Sequence, residues 1–183
     1  LIGGSLIIGF PVPLTALQIL WVNFFTDSFP GVSLAFEEKI DSATTTPTRI
    51  KKGLFTTEMR ALLTINGVIS SILLFMLYGW LLNRGYDVEI VKTFIFAAFG
   101  TYSLFLIFSI RSLKSGIYSF NPFSNKYLVM SVAFGFALTL ASIYLPILQR
   151  LFNTVSLPLP WLLGVVAFGI ANIILIELTK IIF

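Results

Sequence analysis

Apolar segments long enough to cross a membrane dominate this chain. A helix needs about 20 mostly apolar residues to span a bilayer. Segments 14–36, 61–82, 93–110, 127–148 and 161–182 are read as full spans. Residues 1–9 are apolar as well and stop at Gly9, where Pro11 and Pro13 end any helix. The composition agrees, because only 11% of the 183 residues are charged against about 25% in a soluble domain. The expected fold is an all-α membrane bundle of five full transmembrane helices plus the end of a sixth.

Polar loops separate these spans, and their charges set an orientation. The loop at 37–60, the loop at 111–126 and the C-terminal end hold nine of the twelve Lys and Arg residues. The opposite side holds Arg84, Lys92 and Arg150. The positive-inside rule places the richer side, and with it the C-terminus, in the cytoplasm. The expected location is a multi-pass integral protein of the plasma membrane, with the lipid bilayer as its first partner. Trp80 and Trp161 sit at span ends as interfacial anchors, whereas Trp21 lies further in. Gly67 and Ser71, and the row Ala133, Ala137 and Ala141, have the spacing that lets helices approach closely in lipid.

The chain contains no Cys and no His. Thiolate, disulfide and imidazole chemistry are therefore excluded, and a metal would need oxygen ligands and be a hard cation. The net charge of +4 is spread over short loops, so nucleic acid is not an expected partner. No glycine-rich phosphate loop occurs. The apolar start at Leu1, with no Met and no basic leader, reads as a piece of a longer chain.

One span carries a carboxylate. Residues 21–31 read WVNFFTDSFPG. On an α-helix Asn23, Thr26 and Asp27 stand at i, i+3 and i+4 and share a face, within about 6 Å along the axis. Pro30 then removes a backbone donor and Gly31 loosens the chain. An aspartate at mid-membrane is unfavourable by about 2.5–3.5 kcal/mol unless it meets a partner or a watery cavity. A carboxylate, an amide oxygen, a hydroxyl and a freed carbonyl form a hard-cation ligand set. A broken membrane helix is also a common place for an ion site. On spacing alone the alternative stays open: a protonated Asp27 with Asn23 and Thr26 as interhelical hydrogen-bonding groups.

The run PLTALQILWVNFFTDSFPGVSLAFE at 13–37 closely resembles the sixth membrane helix of P-type cation-transporting ATPases, nearest to the calcium pumps and their bacterial relatives. The resemblance covers the whole chain. Residues 1–9 look like the end of helix five, 14–36 like helix six, 37–60 like a cytoplasmic loop, and 61–82, 93–110, 127–148 and 161–182 like helices seven to ten. It implies that Asn23, Thr26 and Asp27 ligate the transported ion, Ca2+ or another hard cation. It also implies that ATP and Mg2+ act only through domains absent from this chain. The chain is then not catalytic alone, and its partners are the remaining pump domains and the cation. Two-calcium pumps carry an acid in their eighth helix, where this chain has Ser103. A second site of that type is not expected.

Other polar residues carry plainer readings. Glu177 and Lys180 have helix-pair spacing and are expected to form an interfacial ion pair or to snorkel. Asn172 is expected to bond between helices. Thr101, Tyr102 and Ser103 form a patch suited either to a cavity near Asp27 or to packing. Two rival functions use the same residues: a stand-alone cation carrier or channel, and a non-transporting membrane scaffold in which Asp27 serves assembly.

Overall fold

The structure is a computed structural model that describes residues 1–36, 57–110 and 123–182. The basic loops at 37–60 and 111–126 lie largely outside the described residues. Among the described residues all regular structure is helical, with no strand. The order is α1 (Ile2–Ile8), α2 (Ala16–Trp21), a π-helical turn (Val22–Ser28), α3 (Phe29–Ser33), a 3-10 turn (Leu34–Phe36), α4 (Thr57–Asn83), α5 (Val88–Ile110), α6 (Lys126–Tyr144), α7 (Pro146–Phe152) and α8 (Leu159–Ile182). Among the described residues three helices are long and apolar enough to cross a membrane, namely Val88–Ser109, Lys126–Tyr144 and Leu159–Lys180. The apolar part of α4, Gly67–Asn83, is shorter. The segment 14–36 stays helical from Ala16 but changes helix type three times, so no single α-helix spans it.

Local chemistry explains each boundary. α1 ends at Gly9, which takes the left-handed conformation with φ 79° and returns its N–H to Ser5. The proline turn that follows is fastened to α4. The Tyr78 hydroxyl donates to the Pro11 carbonyl at 2.7 Å, and Phe10 meets the Tyr78 ring edge-on. Thr15 opens α2 through a capping box: its hydroxyl accepts from the Gln18 N–H at 3.2 Å, and Gln18 Oε1 accepts from the Thr15 N–H at 2.8 Å.

α5 begins at Val88, five residues before the sequence-based start at 93. Asp87 caps it, accepting from the N–H groups of Glu89 and Ile90. The charges of Glu89 and Lys92 lie on the first turns of the helix rather than in a loop. α6 ends at Tyr144, short of 148. Pro146 disfavours helical backbone at Leu145, which is extended with φ −83° and ψ 122°, and α7 starts afresh at the proline.

α5 is the central helix. It packs against α4, α6, α8 and the π-helical turn. Phe94, Ile95, Phe96, Ala97 and Ala98 are consecutive and all buried, so no side of this stretch faces out. Close helix contact comes from glycines rather than from the alanine row. A Cβ at Gly164 would meet Phe94 at 3.2 Å, and one at Gly169 would meet Phe105 at 2.6 Å. Ala133 and Ala137 are exposed, and α6 buries Leu128, Val132, Gly135 and Thr139 instead. Gly67 faces open space.

Candidate cation site

The second span widens where its polar residues lie. Val22–Ser28 is π-helical, with i→i+5 bonding in place of i→i+4. Two features of the sequence account for this. Pro30 has no N–H to return to the carbonyls one turn before it. Hydroxyl groups then compete for the local backbone: Thr26 Oγ1 donates to the Val22 carbonyl at 2.7 Å, and Ser28 Oγ donates to the Asn23 carbonyl at 2.9 Å. Past the proline, Ser33 Oγ donates to the Pro30 carbonyl at 2.6 Å.

Widening the turn changes which residues share a face. Val22, Thr26 and Pro30, four apart, are buried, whereas Asn23, Asp27 and Gly31, also four apart, are exposed within the chain. Asn23 and Asp27 therefore stand together. Thr26 points into the bundle at 1% exposure, although its hydroxyl stays beside the Asp27 carboxylate. The α-helical spacing argument expected all three on one face, and the π-turn splits them.

Asp27 also meets α5. The side chains of Ser103 and Thr26 are the polar groups facing its carboxylate, and Tyr102 lies within electrostatic range. The polar patch thus divides. Ser103 faces Asp27, Tyr102 lines a cavity with Ser70 of α4, and Thr101 is fully buried against Gly169 on α8. No cluster of three acidic, His or Cys residues occurs among the described residues. The oxygen set here is one carboxylate, the hydroxyls of Ser103 and Thr26, and the Asn23 amide. That set suits a hard cation and offers it a single negative charge.

Gly135 seats the turn closely, whereas a side chain at Gly100 would make only ordinary contact. A Cβ at Gly100 on α5 would lie 3.8 Å from Thr26 and Val22, and one at Gly135 on α6 would lie 3.3 Å from the Phe25 carbonyl oxygen. Gln18 anchors the other end. Its Nε2 donates to the Phe152 carbonyl of α7 at 2.9 Å, and Trp21 packs on the Phe152 ring with centroids 4.7 Å apart. Neither Gln18 nor Gly135 is among the residues singled out from the sequence. The capping-box spacing of Thr15 and Gln18 was the one available signal.

Two further expectations met different outcomes. Lys180 and Glu177 form an ion pair at 2.7 Å, with only 8% and 10% of their side chains exposed, and Lys180 Nζ also donates to the Ser109 carbonyl of α5. This is a buried tie between helices, not a snorkelling lysine. Asn172 does not bond between helices through its NH2 group, which donates to Phe168 of its own helix at 2.8 Å.

Residues 11–182 match the family model described as "Cation transporting ATPase, C-terminus". The chain is 30% identical over 162 residues to the calcium-transporting ATPase of Bacillus subtilis, an alignment covering 87% of this chain and 18% of that protein. It is 31% identical over 182 residues to the calcium-transporting ATPase type 2C member 2 of Mus musculus, covering 96% and 19%. It is 28% identical over 153 residues to the probable cation-transporting ATPase F of Mycobacterium bovis, covering 82% and 17%. The chain thus spans less than a fifth of the length of these relatives.

Proposed function

The chain belongs to the C-terminal family of cation-transporting ATPases, and from that premise we propose that it supplies cation ligands to the membrane part of an ATP-driven pump. The proposed cargo is Ca2+, as the names of two of the relatives suggest. The proposed ligands are Asp27 as the charged group, with Asn23 and Thr26 as neutral oxygens. The observation that carries this reading is the placement of Asp27 in a widened turn, beside Asn23 and opposite the Ser103 hydroxyl.

The physical case rests on what the turn does. A carboxylate held away from water favours a cation strongly, because hydrocarbon offers nothing else to neutralise it. The π-turn places a second oxygen side chain, Asn23, on the same face. Thr26, held by Val22, keeps a hydroxyl beside the carboxylate. With one negative charge from this chain, the set supports one divalent ion completed by ligands from elsewhere in the pump. Segments 1–9, 14–36, 61–82, 93–110, 127–148 and 161–182 take the places of helices five to ten, with 37–60 and the C-terminus on the cytoplasmic side of the plasma membrane. ATP and Mg2+ act through the pump's other domains.

The test is cation-dependent phosphorylation of the complete pump carrying Asp27→Asn. Loss of Ca2+ dependence at unchanged expression supports the site. Wild-type Ca2+ affinity in that variant overturns it.

A further inference from the structure

The end of the bundle remote from Lys180 carries a girdle of aromatic residues. Tyr86 meets Trp161 edge-on at 5.2 Å, Arg84 lies over the Trp80 ring at 5.2 Å, and the Tyr144 hydroxyl donates to the Leu157 carbonyl at 2.6 Å. These residues sit where α4 and α6 end and α8 begins. Amphipathic rings in that position mark the level at which hydrocarbon meets lipid headgroups.

A cleft of about 410 Å³ opens at this level, between the first turn of α5 and the α7 corner. Its walls are hydrogen-bonded in place. Thr93 Oγ1 accepts from the Val155 N–H at 3.0 Å, Thr154 N–H donates to the Gln149 carbonyl at 3.1 Å, and Gln149 Nε2 donates to Ser156 Oγ at 2.9 Å. Glu89 lines one side of the cleft and Arg150 lines another. Both are exposed, and neither is engaged in an ion pair. Opposite charges thus line one open cleft without forming an ion pair among the described residues.

Beside the cleft-lining Pro146 and Arg150, the same short helix carries an exposed apolar pair. Ile147 and Leu151, one turn apart on α7, are 81% and 54% exposed. Arg150 flanks this pair on the same short helix. Hydrocarbon would be met along Ile147 and Leu151, an anion at Arg150 and a cation at Glu89.

We propose that this cleft binds the headgroup of a glycerophospholipid with a primary amine, its phosphate on Arg150, its ammonium on Glu89 and its acyl chains along Ile147 and Leu151. The guanidinium suits a phosphate through paired N–H donors. A primary ammonium has three N–H groups for the Glu89 carboxylate, whereas a trimethylated amine has none. The cleft therefore distinguishes ethanolamine from choline lipids. This inference is independent of the cation site.

The experiment uses the complete protein in nanodiscs of equimolar phosphatidylethanolamine and phosphatidylcholine with matched acyl chains. Lipid retained after detergent washing is counted by native mass spectrometry. Ethanolamine lipid should be enriched by about tenfold, the ratio one charge-assisted hydrogen bond supports. Glu89→Gln should remove the enrichment, and Arg150→Gln should reduce retention of both lipids. Equal retention by the unaltered protein, or enrichment that survives both substitutions, overturns the proposal. So does displacement of the bound lipid by an equal concentration of soluble glycerophosphoethanolamine, which would mean that the acyl chains contribute nothing.

Discussion

Gly135 on α6 lies so close to the π-helical turn that a Cβ there would stand 3.3 Å from the Phe25 carbonyl oxygen and 2.6 Å from Leu104 Cδ2. Leu104 is itself fully buried and has little room to move aside. Gly135→Ala should therefore shift the turn against α5 and destabilise the protein by about 1–3 kcal/mol, the usual range for overpacking. Gly67→Ala, which meets open space, is the control. Thermal unfolding of the purified protein in detergent separates them: a lowered midpoint for Gly135→Ala alone is expected, and equal midpoints would show that the seat is looser than the distances indicate.

Among the described residues, Ser103 is the one hydroxyl from another helix that hydrogen-bonds the Asp27 carboxylate. If it contributes an oxygen to the cation, Ser103→Ala should weaken Ca2+ affinity by about tenfold, the worth of one interaction with a charged group. Asp27→Asn should weaken it far more, because it removes the negative charge. Ca2+ titration of phosphorylation in the complete pump checks both. Affinity unchanged by Ser103→Ala would leave this hydroxyl as packing only.

Gln18 does two jobs with two ends of one amide, accepting from the Thr15 N–H and donating to the Phe152 carbonyl. Two substitutions separate the jobs. Gln18→Glu keeps an acceptor for the cap but sets a carboxylate against the Phe152 carbonyl. Gln18→Leu loses both bonds, at a cost of about 1–3 kcal/mol for each buried polar group left unpaired. Both should lower the unfolding midpoint, and proteolysis near Phe152 should be faster in both. A Gln18→Leu protein as stable as the original would mean that the tie between α2 and α7 is dispensable.

The apolar spans and the carboxylate within one of them were legible because they depend on local composition. Pro30 also announced a broken helix. The type of break was not legible, since the turn has Thr26 and Ser28 taking backbone carbonyls and Gly135 making room. That glycine lies far along the chain from Phe25, and no local pattern joins them. The end of α6 was different. Pro146 stood in the sequence, yet its apolar neighbours Leu145, Ile147 and Leu148 masked the stop. The early start of α5 was hidden by Glu89 and Lys92, charges that read as loop but occupy helix turns at the interface.

At the far end of the bundle Lys180 bonds to both Glu177 and the Ser109 carbonyl, each at 2.7 Å. Both charged side chains are largely buried, so removing one takes this close partner from the other. Lys180→Met should cost about 3–5 kcal/mol, the penalty for breaking a buried pair from one side. Replacing both residues, with Glu177→Gln added, should recover part of that loss, because the carboxylate is removed together with its ammonium partner. The cycle of two single variants and the double variant isolates the coupling. Additive losses would show that the pair is solvated enough to act as two independent surface charges. A strong positive coupling would show that α8 holds the last turn of α5 through this lysine. Since α5 carries Ser103 less than two turns before Ser109, loosening that tie should also weaken Ca2+ affinity in the complete pump, and should do so less in the double variant than in Lys180→Met alone.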